Sequence, residues 1–126
     1  MASPARILLA DDEEDLRCVL GKRLEAWGYA VIAAADGLEA VRLAATERPD
    51  LILLDVMMPK LNGLEAARQL KSAPATARIP IVLITAKGKV LAPDEMRALG
   101  IHTILYTPYE TEDLHRVVQA AVGASS

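Results

Sequence analysis

Carboxylates directly follow two short apolar stretches of this chain. Asp11 and Asp12 come after residues 6–10, and Asp55 comes after residues 51–54. Three carboxylates gathered at one edge of a sheet repel one another, and a hard divalent cation such as Mg²⁺ relieves that repulsion because it prefers oxygen ligands. Water positions on such a cation can be exchanged for phosphoryl oxygens. The pattern therefore predicts a Mg²⁺ site that can hold a phosphorylated carboxylate.

The acidic residues also have a structural interpretation. Acids in the first turn of a helix interact favourably with the helix dipole, by about 0.3–1 kcal/mol each, and residues 13–15 fit that role. Asp11 and Asp12 fit either interpretation. Asp55 favours a functional site, because no helix begins directly after it and it has no capping role. Thr85, at the end of a fourth apolar stretch, could be structural when considered alone.

Five apolar stretches alternate with five amphipathic segments. The apolar stretches are nearly continuous in hydrophobicity, which is typical of parallel strands covered by helices on both faces. They are residues 6–10, 30–33, 51–54, 81–85 and 103–106. The predicted helices are a segment around 16–27, residues 38–45, 63–70 and 93–99, and a segment around 114–121. Repeated βα units with right-handed crossovers predict an α/β fold with a doubly wound (βα)5 open parallel sheet.

The first predicted helix has one apolar face, which we expect to pack on the sheet. Its members recur at spacings of three and four residues and are Leu16, Val19, Leu20, Leu24 and Trp27. Cys18 lies opposite this face and is predicted to be an exposed thiol. His102 and His115 have no metal-ligand spacing and are predicted to be surface residues.

The composition is that of one globular domain. The 126 residues are 52% hydrophobic and 25% charged, enough for an aliphatic core. We predict a single domain over residues 1–126, with residues 123–126 as a tail or linker stub. The single cysteine excludes an intrachain disulfide and suits a cytoplasmic location. A net charge of −3 without a basic cluster argues against direct nucleic-acid binding, and no stretch approaches the ~20 apolar residues that cross a membrane.

Several motifs, each at a predicted strand end, resemble the receiver domains of two-component response regulators across essentially the whole chain. They are LLADDE at residues 8–13, LLDVMMP at 53–59 followed by Asn62-Gly63, ITA at 84–86, and Pro108-Tyr109. The intervals from Asp55 to Thr85 and to position 107 also match the family. The resemblance implies a flavodoxin-like receiver fold with strand order 2-1-3-4-5.

The resemblance implies a role for each matching acid. Asp55 would take a phosphoryl group from a phosphohistidine on a sensor histidine kinase or a histidine phosphotransfer protein. Asp12 and Asp55 would bind Mg²⁺ directly, Asp11 directly or through water, and Met57 through its backbone carbonyl.

Roles for the remaining motif residues follow from the same resemblance. Thr85, followed by Ala86, would donate its hydroxyl to a phosphoryl oxygen. Pro59 and Gly63 would shape the loop after the acceptor, with Gly63 supplying backbone freedom. Pro108 would shape the loop after the fifth strand.

Two positions depart from the family pattern. Thr107 stands where a lysine usually precedes Pro108, so one neutral hydrogen bond replaces a charge-assisted bond worth ~1.5–3 kcal/mol. Ile104 stands where the family usually has a switch tyrosine or phenylalanine. Tyr106 points to the same face and could supply the aromatic ring, or could simply pack on the fifth helix. Lys87 either replaces the missing charge or is a solvated loop residue.

The predicted function is a phosphorylatable receiver that acts as a signalling switch and presents a face of the fourth helix, fifth strand and fifth helix to an effector. Thr107 and Ile104 favour the alternative, an atypical receiver that binds partners without phosphorylation. We expect no enzyme activity beyond phosphorylation and dephosphorylation of the chain itself. A phosphatase that uses an aspartyl phosphate is disfavoured, because Met57 stands where such enzymes carry a second aspartate. The acidic turn also disfavours a dinucleotide site.

Overall fold

Five strands alternate with five helices in the predicted order. The computed structural model describes residues 4–58, 61–86, 93–101 and 103–125. The strands are β1 (Arg6–Ala10), β2 (Ala30–Ala34), β3 (Leu51–Asp55), β4 (Ile81–Ala86) and β5 (Thr103–Thr107). The helices are α1 (Glu14–Ala26), α2 (Gly37–Glu47), α3 (Gly63–Ser72), α4 (Pro93–Ala98) and α5 (Thr111–Ser125). Every predicted strand is confirmed to within one residue at each end.

All strand pairs in the sheet are parallel, and the strand order is β2-β1-β3-β4-β5. This confirms the predicted doubly wound fold and its order. In the register, Ala10 pairs with Leu54 and Asp55 pairs with Ile84. The carboxyl ends of β1, β3 and β4 therefore lie side by side, at the edge where ligands bind in sheets of this kind.

The core has two layers, one on each face of the sheet. Alternate strand residues such as Leu8 and Ile52 pack with α2, α3 and α4, whereas Ile7 and Leu53 pack with α1 and α5. The central strands are covered on both faces, which explains why their sequences are continuously apolar rather than alternating.

The apolar face of α1 is only partly buried, which corrects the prediction for its first two turns. Leu20 and Leu24 are buried, but Leu16 and Val19 are 41% and 51% exposed. Leu16 and Val19 instead line a cavity at the carboxyl edge of the sheet, together with Pro108 and Tyr109 from the loop after β5. Cys18 is exposed, as predicted.

Two further predictions concern α5 and its surroundings. His115 is partly buried and stacks on Trp27 with ring centroids 4.1 Å apart, so it is not a simple surface residue; His102 lies outside the described residues. Helix α5 includes residues 123–125, which were expected to form a tail. A glycine inside a helix costs only about 1 kcal/mol, so Gly123 does not end α5. None of the helices in the described ranges is long and apolar enough to span a bilayer.

Candidate functional site

Three carboxylates meet where β1 and β3 end. Asp11 is buried with 4% of its surface exposed, Asp55 is partly buried and Asp12 is exposed. One carboxylate oxygen from each residue lies within 4.8 Å of the others. The sequence prediction that these three acids converge is therefore correct in geometry.

Backbone amides orient two of the three carboxylates. The Oδ1 atom of Asp11 accepts a hydrogen bond from the N–H of Glu13 at 2.9 Å, and Oδ1 of Asp55 accepts one from the N–H of Met57 at 3.0 Å. In each case the donor lies two residues further on, as in an Asx turn. Both carboxylates are thus held in place by their own loops.

The carboxylates are electrostatically crowded. Burial, followed by the negative charges of Asp11, Asp12 and Glu13, raises the pKa of Asp55 from 3.8 to about 6, although the hydrogen bond from Met57 opposes the rise. Burial is also the main reason that the pKa of Asp11 is raised. A group of oxygen donors that resists becoming fully ionised fits a hard divalent cation, which supplies the missing positive charge.

The loop after β3 returns close to the acceptor strand. The N–H of Gly63 donates to the carbonyl of Val56 at 3.0 Å, and a Cβ atom at Gly63 would lie only 2.5 Å from the carbonyl oxygen of Asp55. Its φ is not in the left-handed region. Gly63 is therefore required for close approach, and the expected reason, backbone freedom, is wrong. Pro59 lies outside the described residues.

A capping box fixes the start of α3 at this loop. The Asn62 side chain accepts from the N–H of Glu65 at 2.9 Å, and the Glu65 carboxylate accepts from the N–H of Asn62 at 3.3 Å. Both orphan amides are satisfied within the motif. The helix therefore begins at Gly63, whose backbone lies against that of Asp55 and Val56.

The side chain of a buried threonine lies at the end of β4. Thr85 is 2% exposed, and its Oγ1 atom forms no hydrogen bond with any described residue. Leaving a buried hydroxyl unpaired costs about 1–3 kcal/mol, and an acceptor brought to Thr85 would recover that free energy. Ala86 continues the strand and pairs with Thr107, while Lys87 lies outside the described residues.

Thr107 ends β5 without reaching toward the carboxylates. Its hydroxyl donates to the backbone carbonyl of Thr85 at 3.4 Å, and its peptide bond to Pro108 is cis. Ile104 is partly buried against the α2–α4 layer of the core, whereas Tyr106 is 43% exposed. Because Leu105 packs with α5, the alternation of the strand places Tyr106 on the opposite face, which argues against simple packing on α5.

A cavity of about 470 Å³ opens beside the acids, between α1 and the ends of β4 and β5. Its described lining includes Asp11, Asp55, Thr85, Thr107 and Tyr109, together with Leu16, Val19 and Arg23 from α1. The helical periodicity of α1 placed Leu16 and Val19 on one face but did not show that this face lines a site. Arg23 was missed altogether, although it continues the same face seven residues after Leu16.

Comparisons with known proteins agree on one family. A family model described as the response regulator receiver domain matches residues 7–119. The alkaline phosphatase synthesis transcriptional regulatory protein PhoP of Bacillus subtilis is 39% identical over 120 residues, covering 95% of this chain and 49% of PhoP. Protein PilH of Pseudomonas aeruginosa is 35% identical over 118 residues, covering 94% of this chain and 98% of PilH.

The structural comparison gives the same result. The receiver domain of the sensor histidine kinase PA1611 from Pseudomonas aeruginosa, whose structure is described with a magnesium ion coordinated in the active-site cleft, superposes with a TM-score of 0.85 at 32% identity. The match covers 95% of this chain and 98% of that domain. The chain spans about half the length of PhoP and of the MprA response regulators that it also matches.

Proposed function

Because the chain belongs to the response regulator receiver domain family, we propose that it accepts a phosphoryl group on Asp55 and acts as a signalling switch. The observation that carries the proposal is the position of Asp55, which clusters with Asp11 and Asp12 and lines one cavity with Asp11 and with Thr85, whose hydroxyl has no partner among the described residues. A carboxylate nucleophile, a cation site and a free donor are the three parts that formation of an aspartyl phosphate requires.

We propose that Mg²⁺ is bound by Asp12 and Asp55, by Asp11 directly or through water, and by the backbone carbonyl of Met57. The cluster of oxygen donors supports this, as does the magnesium ion described for the PA1611 receiver domain. When bound, the ion supplies positive charge that screens the carboxylates from an incoming phosphoryl group.

The chain's own residues then have separate tasks in phosphoryl transfer. One carboxylate oxygen of Asp55 attacks the phosphorus atom of a phosphohistidine; a P–O bond forms, the P–N bond breaks, and its electron pair stays on the imidazole nitrogen. The hydroxyl of Thr85 donates to a phosphoryl oxygen of the product. The N–H of Met57 holds the Asp55 carboxylate in position before transfer.

The proposed partners are a sensor histidine kinase or histidine phosphotransfer protein as donor, and a downstream effector at the face of α4, β5 and α5. Tyr106 supports that face, because it is an exposed aromatic side chain at the end of β5. The protein is proposed to act in the cytoplasm, without direct contact with nucleic acid or membrane.

Phosphorylation is tested with acetyl phosphate or a phosphorylated donor protein in the presence of Mg²⁺, followed by intact mass. The wild type should gain about 80 Da, the mass of one phosphoryl group. Asp55→Asn should gain nothing, whereas Asp15→Asn, at an exposed acid on α1, should behave as wild type. An unmodified wild type, or equal modification of Asp55→Asn, would contradict the proposal.

A second candidate is a receiver that binds its partner without phosphorylation. Thr107 favours it, because the hydroxyl faces the backbone of Thr85 and carries no charge. Affinity for a partner, measured with and without beryllofluoride, separates the two candidates. Equal affinities would support the second candidate, and a change would support the switch.

A further inference from the structure

Among its described residues, the lining of the cavity beside Asp55 includes no positively charged side chain from β5. A phosphoryl group on Asp55 brings negative charge into a space already lined by Asp11, Glu13 and Asp55. Thr107, on the β5 side of this space, offers only a neutral hydroxyl. Bound Mg²⁺ would offset part of this charge, and a charge-assisted hydrogen bond from a side chain on another element would hold the phosphoryl group in addition.

Arg23 is the only positively charged residue among the described residues that line this cavity. It lies on the face of α1 that continues from Leu16 and Val19, roughly 10 Å along the helix axis from Leu16. Helical side chains lean toward the N-terminus of their helix, and the N-terminus of α1 is the end beside the acidic cluster. A side chain at Arg23 is therefore expected to lean toward the end of α1 where the acids lie, and it lines the same cavity as Asp11 and Asp55.

The two arginines of α1, Arg17 and Arg23, differ in their contacts. Within the described part of the chain it forms no hydrogen bond or ion pair, whereas Arg17 on the same helix donates to the backbone carbonyl of Asp11 at 2.7 Å. Burial raises the pKa of Tyr109, the charge of Arg23 lowers it and that of Asp11 raises it. The charge of Arg23 thus reaches the phenol of Tyr109 in the cavity lining, whereas the positive charge that lowers the pKa of Asp11 is that of Arg17.

We propose that Arg23 supplies, from α1, the positive charge that holds the phosphoryl group on Asp55 in this chain. The inference rests on the proposed function and adds a residue to it. A guanidinium presents several N–H donors in a fixed plane, which suits the oxygens of a phosphoryl group. The hydroxyl of Thr85 would then donate from the opposite, β4 side of the same group.

The test compares Arg23→Gln with Lys22→Gln, which removes the same charge from the neighbouring exposed residue of α1. Affinity for beryllofluoride with Mg²⁺, and the rate of phosphorylation by acetyl phosphate, should fall roughly tenfold in Arg23→Gln and remain near wild type in Lys22→Gln. Arg23→Lys should recover part of the loss. Affinity for Mg²⁺ in the absence of beryllofluoride should not fall in Arg23→Gln, because removing one positive charge favours binding of another. If Arg23 had only a structural role, the substitution would weaken the binding of both Mg²⁺ and beryllofluoride.

A double-mutant cycle with Thr107→Lys makes the test specific. If a lysine at position 107 supplies the charge, Arg23→Gln should have little further effect in that background. Three outcomes would overturn the inference while leaving Asp55 as acceptor. Beryllofluoride affinity could fall equally in Arg23→Gln and Lys22→Gln, or fall only in Lys87→Gln. The third outcome is that Arg23→Gln lowers this affinity as much in the Thr107→Lys background as in wild type. A wild type that takes up neither phosphoryl group nor beryllofluoride would overturn the proposed function and the inference together.

Discussion

Tyr106 lies directly across the β4–β5 ladder from Thr85. Residues paired in a parallel ladder point to the same face, so the partly exposed phenol ring neighbours the buried hydroxyl at the end of the next strand. The usual switch position, Ile104, lies two residues earlier and packs into the core. The aromatic residue of β5, Tyr106, therefore lies two residues closer to the carboxyl end of the strand than the usual switch position.

The first prediction is that Tyr106 is required for phosphorylation at Asp55 to change the conformation of β5 and α4. In wild type, beryllofluoride should shift the backbone amide NMR signals of β5 and α4 as well as those of the site. In Tyr106→Ala, phosphoryl uptake should persist, but the shifts should be confined to the loops around Asp55. Ile104→Val serves as the control, because it trims a partly buried side chain on the same face at a cost of about 0.5–1.5 kcal/mol. Propagation that survives in Tyr106→Ala would contradict the prediction.

The second prediction concerns pH and the metal-free protein. The pKa of Asp55 is about 6 in the folded state and near 3.8 when unfolded, so between these values the folded state binds more protons than the unfolded state. The unfolding free energy should therefore decrease as the pH rises from about 4 to about 6, by roughly 1–2 kcal/mol for this partly exposed group.

Asp55→Asn removes this contribution. Urea denaturation in EDTA should show the variant to be more stable than wild type at pH 7.5 and to lose most of that advantage at pH 4.5. Magnesium should stabilise wild type progressively more as the pH rises through 6, because only the ionised carboxylates bind the cation. An equal effect of Asp55→Asn at both pH values would rule out the proposed crowding.

The sequence predicted the fold and the acidic cluster because both depend on local pattern. Continuous apolar runs identify strands covered on two faces, and Asp11 and Asp55 converge because parallel strands end at one edge. The exposure of Leu16 and Val19 depends on how far α1 projects beyond that edge, which helical periodicity does not contain. The role of Gly63 depends on a close approach to the backbone of Asp55 that is visible only once both segments are placed.

The third prediction is that Gly63→Ala distorts the acceptor strand. The new Cβ atom would lie 2.5 Å from the carbonyl oxygen of Asp55 and 2.8 Å from Cα of Val56, so backbone must move. We expect a loss of about 1–3 kcal/mol in the unfolding free energy, together with slower phosphorylation. In Gly21→Ala the nearest atom would be Cγ1 of Val31 at 3.8 Å, and this helical site should gain roughly 0.5–1 kcal/mol. Matching effects of the two substitutions in urea denaturation would contradict the steric explanation.

The fourth prediction separates stability from function at Thr85. Its Oγ1 atom has no partner among the described residues, so Thr85→Val removes an unsatisfied buried hydroxyl while keeping the shape of the side chain. The metal-free protein should be as stable as wild type or up to about 1 kcal/mol more stable, whereas beryllofluoride affinity should fall roughly tenfold.

Thr76 provides the matched control. It is also 2% exposed, but its hydroxyl donates to the carbonyl of Leu70 at 2.6 Å. Thr76→Val breaks that bond and should cost about 1–2 kcal/mol in urea denaturation without weakening beryllofluoride binding. Both substitutions replace threonine with valine. If Thr85→Val weakens only beryllofluoride binding and Thr76→Val lowers only the unfolding free energy, the Thr85 hydroxyl serves ligand binding rather than stability. Destabilisation by Thr85→Val equal to that of Thr76→Val would show instead that the hydroxyl already has a structural partner.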